Sequence, residues 1–363
     1  MEYDISIIIP VYNAENTLRW MFHSLKRQTL GFSRLEIVFA DDCSTDGSAD
    51  LLRGFSSAYG NVKVVTLSKN SGYAGAPRNA ALKVASAPYV MFLDADDRYT
   101  PRACELLLKA LIENDADIAS GYYAEHHDSD RALDRAISDA YAEMPIGVCE
   151  LSTSINAWRP LADALWCKIY KREIIDVNEL GFDEDFPGED ALFLIEYLCC
   201  CRRAVYIKEK TTEYFVSDSS VSHSSSRKFF EKTAVFFERL QAALHLREQS
   251  GFFFEFVNGF AALDYYLGRF IAECGELPDG EAVVILRAWR TMCEYALESG
   301  VTLHSPLVRI VVRHNAAGDE DRALLAFREA ASAARLRTGE TQAIFCSRSW
   351  RTATKLRKLT GKR

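Results

Sequence analysis

The apolar positions of this chain follow two regimes. Over the first half, short hydrophobic runs alternate with helical periodicity. Residues 5–9 form a β-branched run closed by Pro10, after which Asn13 and Glu15 open a pattern with Leu18, Met21, Phe22 and Leu25 on one helical face. Residues 35–40 repeat the strand signal, residues 41–47 supply a turn, and residues 49–55 continue as a helix. Residues 62–67 make a third strand, a glycine-bearing loop covers 68–76, and 77–85 reads as its helix. Residues 89–93 are the fourth strand. Repeated units of this kind predict an α/β fold in which helices cover a parallel sheet and the strand-to-helix loops share one edge. From about residue 226 the pattern becomes helical only, over 229–246, 252–274, 281–298, 306–313 and 319–335. The change predicts a first domain over 1–225, an all-α domain over 226–346 and a tail over 347–363, with the first boundary in a serine-rich stretch at 217–226.

The fourth strand ends in Asp94-Ala95-Asp96-Asp97. Ligand crevices of open α/β sheets lie beyond the carboxyl ends of the strands, and carboxylates sharing such an edge repel one another unless a cation joins them. These residues point either to a hard divalent metal with a diphosphate ligand or to a solvated acidic turn capping the helix near Pro101. Composition narrows the partners. With 48% hydrophobic and 26% charged residues the chain reads as globular, and a net charge of −8 offers no broad electropositive face to nucleic acid. The ten cysteines form no CxxC pair, and read as reduced core thiols of a cytosolic protein. Met1-Glu2-Tyr3-Asp4 is acidic where a signal peptide would be basic, so a cytoplasmic location is expected. The most apolar stretch, 252–272, is interrupted by Glu255, Asn258, Asp264 and Arg269, which argues for a buried helix rather than a membrane span.

Four ordered motifs carry a resemblance: Pro10-Val11-Tyr12-Asn13-Ala14-Glu15, Asp41-Asp42-Cys43-Ser44-Thr45-Asp46-Gly47-Ser48, Asn70-Ser71-Gly72 with Pro77-Arg78-Asn79, and Asp94-Ala95-Asp96-Asp97. In this order and spacing they resemble the family 2 glycosyltransferases of the GT-A fold, which use nucleotide-activated sugars. Gly75 to Asn79, Lys168-Ile169-Tyr170-Lys171-Arg172 and Glu189-Asp190 are similar to bacterial enzymes that decorate teichoic acids or capsular polysaccharides. The Q-x-x-R-W motif of the processive synthases is absent from the sequence.

The resemblance implies a role for each motif. Pro10, Val11 and Tyr12 would wall the nucleotide pocket, although Pro10 could equally end a strand. Asp41 would accept a hydrogen bond from a uracil ring, and an Asx turn with Ser44 suits it as well. Asn70, Arg78 and Asn79 would serve the donor, Arg78 facing the diphosphate or else pairing with nearby carboxylates. Asp94 would contact the ribose or reach a metal through water, and Asp96 would bind Mn²⁺ or Mg²⁺ directly. Asp190 would be the base that takes the acceptor proton, or a helix N-cap. Glu189 would orient that base or touch the donor sugar, or else be a solvated glutamate in the first turn of a helix. Trp166 and Lys168 would face the acceptor, with core packing the other reading of Trp166. His223 would approach the metal or diphosphate.

The implied activity is inverting, metal-dependent transfer of a sugar from a nucleotide donor, in the first instance a uridine diphosphate sugar, to a hydroxyl of a bacterial surface glycan or lipid-linked precursor. The alternatives are a non-catalytic nucleotide-sugar-binding scaffold and a nucleotidyltransferase that releases pyrophosphate. The helical domain is expected to bind acceptor, self-associate into a homo-oligomer, or do both. The tail carries Arg348, Arg351, Lys355, Arg357, Lys358, Lys362 and Arg363 with Trp350, Leu356 and Leu359 among them, and reads either as a peripheral contact with the inner face of the membrane or as a solubilising tail.

Overall fold

A computed structural model describes residues 2–126, 147–151, 164–215, 226–259 and 261–336. They fall into two compact units: one reaches Asp185 and resumes at Glu189, and the other comprises Phe186 to Gly188 and the helices from Arg227 onward. His223 and the basic tail lie outside the described residues.

The first unit is built on a sheet whose spatial order is β3-β2-β1-β4-β8-β6-β9-β5, with β7 paired to β9. Strands β1 (Ile5–Val11), β2 (Leu35–Asp41), β3 (Val62–Thr66) and β4 (Tyr89–Phe92) are parallel. Helices α1 (Leu18–Lys26), α2 (Ser48–Ala58) and α3 (Gly75–Val84) connect them, as the alternating pattern predicts. Ile5, Ile7, Ile8 and Ile9 of β1 are all fully buried, which explains why the run is continuously apolar: a central parallel strand is covered on both faces. Leu18, Met21, Phe22 and Leu25 bury the inner face of α1. Pro10 is tolerated within β1 because the pairing with β4 stops at Ile8, so no ladder bond is lost on that side.

Beyond β4 the sheet becomes mixed. Strands β5 (Arg98–Tyr99), β6 (Ile118–His126), β7 (Gly147–Glu150), β8 (Lys168–Lys171) and β9 (Arg203–Phe215) join α4 (Ala103–Glu113), α5 (Arg172–Val177) and α6 (Glu189–Cys199). β8 runs antiparallel between β4 and β6, whereas β6 and β9 are parallel and slip register around Gly121. A Cβ on Gly121 would lie 2.4 Å from Thr211 Cγ2, so only glycine lets the two backbones cross there.

One buried charge anchors the parallel core. Glu36 of β2 is fully buried and accepts hydrogen bonds from Ser6 Oγ, from Ser86 N at 2.7 Å and from Ser86 Oγ at 2.7 Å. Lys63 Nζ lies 2.5 Å away. Burial alone would raise this carboxyl, but Lys63, Ser6 and Ser86 outweigh it and hold it down at about 2.

The second unit contains α7 (Arg227–Leu246), α8 (Ser250–Phe254), α9 (Ala262–Glu273), α10 (Asp279–Ala288), α11 (Arg290–Glu298), α12 (Pro306–Ala316) and α13 (Glu320–Leu336). Two helices expected to be continuous are divided. Residues 252–274 break after a π-helical turn at Glu255–Gly259, and Ala261 is left-handed with φ of 53°. Asn258 there accepts a hydrogen bond from Thr302 N. Residues 281–298 divide at Trp289, which is fully buried and donates from Nε1 to Phe230 O at 2.8 Å. No described helix is long and apolar enough to cross a membrane. All nine described cysteines are free thiols.

Candidate active site

Parallel strands β1 to β4 deliver their following loops to one sheet edge. The first two loops are stitched together through side chains. Asn13 N donates to Ser44 Oγ at 3.0 Å, and Thr45 N returns a bond to Asn13 Oδ1 at 2.8 Å. Ala14 N donates to Ser48 Oγ at 2.8 Å, Glu15 N to Asp46 Oδ2 at 3.1 Å, and Gly47 N to Glu15 Oε2 at 2.7 Å. Val11 is buried, so only its backbone can face a ligand, whereas Tyr12 is half exposed. Asp41 is buried and accepts from Ser44 N at 3.2 Å, the Asx turn that its sequence context also suits.

Its neighbour Asp42 holds the third loop, a role the motif reading missed. Asn70 Nδ2 donates to Asp42 O at 3.2 Å and Oδ2 at 3.1 Å, and Ser71 adds its backbone N and its Oγ, the latter at 2.8 Å. Burial keeps the Asp42 carboxyl raised in spite of these donors. Asn70, expected to serve the donor, gives its Nδ2 to Asp42 and so shapes the loop. Asn79, also expected to serve the donor, has its Nδ2 donating to Phe182 O at 2.8 Å and Glu184 Oε1 at 3.0 Å, and Phe182 N donates back to Asn79 Oδ1 at 2.8 Å. It pins the segment that leads toward α6.

Arg78, on α3, is the centre of the arrangement. Its side chain is 5% exposed, with Nη2 2.9 Å from Asp94 Oδ1 and Nη1 3.0 Å from Glu189 Oε1. Its guanidinium carbon lies 5.4 Å from the Phe182 ring centroid. Both terminal nitrogens are therefore paired with carboxylates, while Nε is buried without a hydrogen-bond partner among the described residues. Arg78 joins the end of β4 to the first turn of α6. Gly75 makes this approach close, since a Cβ there would lie 2.0 Å from Asp183 O.

The acidic turn divides its labour by depth. Asp97 is fully buried, accepts from Phe215 N at 3.0 Å, and is raised well above the carboxylate range by burial and then by the charges of Asp96 and Asp94. Asp96 reaches solvent but lies in crowded surroundings; lost hydration and then the Asp94 charge push its carboxyl up to about 6. It takes no hydrogen bond or ion pair from another described residue. An accessible, uncompensated carboxylate beside a second one is a suitable oxygen donor set for a hard cation. Among the described residues no cluster of three or more potential ligands forms, so a cation here would complete its shell with diphosphate oxygens and water.

Glu189 and Asp190 open α6. Glu189 is buried, and burial followed by the Asp190 charge carries it to about 7 against the pull of Arg78. Asp190 is half-buried and makes no hydrogen bond to another described residue. Its carboxylate remains available.

The two residues expected on the acceptor side are both buried. Lys168 is fully buried, with Nζ donating to Ala164 O and to Cys167 Sγ at 3.4 Å. Trp166 is 8% exposed and packs against Tyr123 at 4.4 Å and Tyr214 at 5.1 Å between ring centroids, which is the core reading. His223 lies outside the described residues.

Comparison with known proteins identifies the family. Residues 6–176 match the family described as glycosyl transferase family 2. The chain is 30% identical over 235 residues to the poly(ribitol-phosphate) beta-N-acetylglucosaminyltransferase TarP of Staphylococcus aureus (strain N315), covering 62% of this chain and 68% of that protein. The chain belongs to glycosyltransferase family 2. The uncharacterized glycosyltransferase YibD of Escherichia coli (strain K12) is 29% identical over 224 residues, 60% of this family 2 chain and 63% of YibD. The crystal structure of S. aureus TarS residues 1–349 in complex with UDP superimposes with a TM-score of 0.68 at 20% identity, covering 91% of each chain, and shares the fold. A second TarS structure, in complex with UDP-GlcNAc, gives a TM-score of 0.65 at 21% identity over 91% of this chain and 92% of that one.

Proposed function

We propose that the first unit transfers a sugar from a uridine diphosphate donor to a hydroxyl of a bacterial cell-surface glycan or lipid-linked precursor, with inversion at the anomeric carbon. The observation that carries this reading is the Arg78 bridge. By pairing with Asp94 at 2.9 Å and Glu189 at 3.0 Å, it holds the acidic turn after β4 next to the carboxylate pair opening α6. Relatives named as poly(ribitol-phosphate) glycosyltransferases, and TarS structures in complex with UDP and UDP-GlcNAc, support the choice of donor and acceptor class.

Asp41 and the backbone of Pro10, Val11 and Tyr12 would bind the nucleoside. Asp96, with Asp94 beside it, would hold Mn²⁺ or Mg²⁺. When bound, such a cation stabilises the charge that develops on the diphosphate leaving group. Asp190 would accept the proton of the acceptor hydroxyl as its oxygen attacks the anomeric carbon, on the face opposite the departing diphosphate. A single carboxylate base therefore suffices. Glu189, fixed by Arg78, would limit the rotation of the α6 first turn and so position Asp190.

The test is nucleoside diphosphate release from a panel of nucleotide sugars with Mn²⁺ or Mg²⁺, water serving as a slow acceptor. Release from one donor that EDTA, Asp96→Ala and Asp190→Asn each abolish supports the transferase. Binding of a donor by calorimetry without turnover, even with candidate glycans, would replace it with the non-catalytic scaffold. Release of pyrophosphate would replace it with a nucleotidyltransferase.

A further inference from the structure

We propose that Arg98, held beside Trp20 and Phe215, forms a subsite for the negative charge of an anionic acceptor glycan, with the exposed side of Trp20 receiving a sugar ring. The inference rests on the transferase reading and adds the chemical class of its acceptor.

Arg98 lies in β5, immediately after the acidic turn. Its guanidinium carbon is 4.3 Å from the Phe215 ring centroid and 5.2 Å from that of Trp20. Phe215 is itself backed by the His126 ring, stacked at 4.7 Å with an interplanar angle of 16°. The guanidinium thus lies over two aromatic rings, Trp20 and the His126-backed Phe215.

The edge of the guanidinium is a different matter. The residue opposite Arg98 across the β5–β9 pair is Glu213, but that carboxylate lies 3.3 Å from Lys210 Nζ. Arg98 makes no hydrogen bond or ion pair with another described residue. Among the described residues its N–H donors are therefore uncommitted, on a guanidinium held beside two rings. A planar fork of this kind matches the paired oxygens of a phosphodiester or a carboxylate, and the ordering cost of an arginine side chain has been met before the ligand arrives.

Trp20 supplies the second element. It is 62% exposed, a large apolar area for a residue in the first turn of a surface helix. One of its faces lies toward Arg98, and the exposed ring area can cover the C–H face of a pyranose. The subsite is tied to the catalytic edge, because the N–H of Phe215 donates to Asp97 Oδ1 at 3.0 Å. In a chain of net charge −8, a polyanionic substrate needs a local cation beside the acidic turn. Arg98 is that cation.

The experiment is calorimetric titration of the full chain with four probes: a glycerol phosphate tetramer, tetragalacturonate, neutral maltotetraose and UDP. At least one anionic oligomer should bind tenfold or more tightly than maltotetraose. Arg98→Gln should lose that preference by at least tenfold, Trp20→Ala by at least threefold, and Arg98→Lys should fall between wild type and Arg98→Gln because it keeps charge without the planar fork. UDP affinity should stay within twofold throughout. Circular dichroism melts of each variant within a few degrees of wild type would separate binding from folding. Equal affinity for charged and neutral oligomers, or unchanged binding in Arg98→Gln, overturns the proposal. A parallel loss of UDP affinity overturns it too, by moving Arg98 to the donor diphosphate. Which anionic oligomer responds distinguishes a phosphodiester from a uronate. A wild type that binds neither UDP nor any nucleotide sugar sinks the transferase reading separately, while the oligomer titrations still report on Arg98.

Discussion

Replacing Glu36 with glutamine removes a charge from the point where β1, β2 and the approach to β4 meet. In the folded chain Ser6, Ser86 and Lys63 hold this carboxyl at about 2, against an ordinary value of 4.5. That gap corresponds to ~3 kcal/mol of stability at neutral pH. The sign follows from the direction: a depressed folded value stabilises above the unfolded value and is lost as pH falls through the folded one. By linkage, roughly a quarter of the contribution is gone at pH 4 and more than half at pH 3. Glutamine keeps one acceptor oxygen but turns an NH₂ toward donors that already crowd the site, so the charge-assisted bonds are lost and one donor is left facing another. We expect Glu36→Gln to cost ~2–3 kcal/mol at pH 7. Urea unfolding of wild type and variant, followed by circular dichroism at pH 7, 5, 4 and 3, measures both the size and the slope. The difference between the proteins should shrink steadily below pH 5. A difference under about 1 kcal/mol at pH 7, or one that stays flat with pH, would show that the buried node does not carry the electrostatic role argued for it.

Asp190→Asn should lower turnover by about 10²–10⁴-fold with nucleotide affinity unchanged, measured by diphosphate release and calorimetry. In Arg78→Met, Glu189 loses its counter-charge and its carboxyl rises further from about 7. Because a raised carboxyl binds protons in the folded state, the variant's deficit against wild type should widen as pH rises above about 7, and thermal melts from pH 6 to pH 9 will test it. Gly75→Ala drives a Cβ to 2.0 Å from Asp183 O and should cost ~1–3 kcal/mol together with at least a tenfold loss of turnover. Gly54→Ala in α2 meets nothing within 4 Å and should instead stabilise by ~0.5–1 kcal/mol, so paired melts give opposite signs.

The parallel core was legible because its central strands β1 and β2 are buried on both faces, which writes them into the sequence as apolar runs such as residues 5–9. The mixed half was not. β6 and β9 carry polar residues among the apolar ones, and their pairing joins positions 86 residues apart, as for Ile118 and Ala204. Site residues divide along the same line. Asp94, Asp96 and Asp190 stand at element ends, where local sequence marks them. The work of Arg78, Asn70 and Asn79 depends on which carboxylate or carbonyl the fold delivers. Glu189 is 111 residues from Arg78, and no spacing rule connects them. The burial of Lys168 was not legible, because lysine is rarely buried, yet a carbonyl and a thiol receive its ammonium here.

The reciprocal bonds between residues 13–15 and 44–48 constrain anyone who would re-engineer this protein. Each loop's backbone N–H groups are capped by side chains of the other, so neither is a complete module. Transplanting one loop from a relative to alter donor choice would strand the main-chain donors of its partner. Exchanges should move both segments as a single cassette, and chimaeras that respect this pairing will express where single-loop swaps fail.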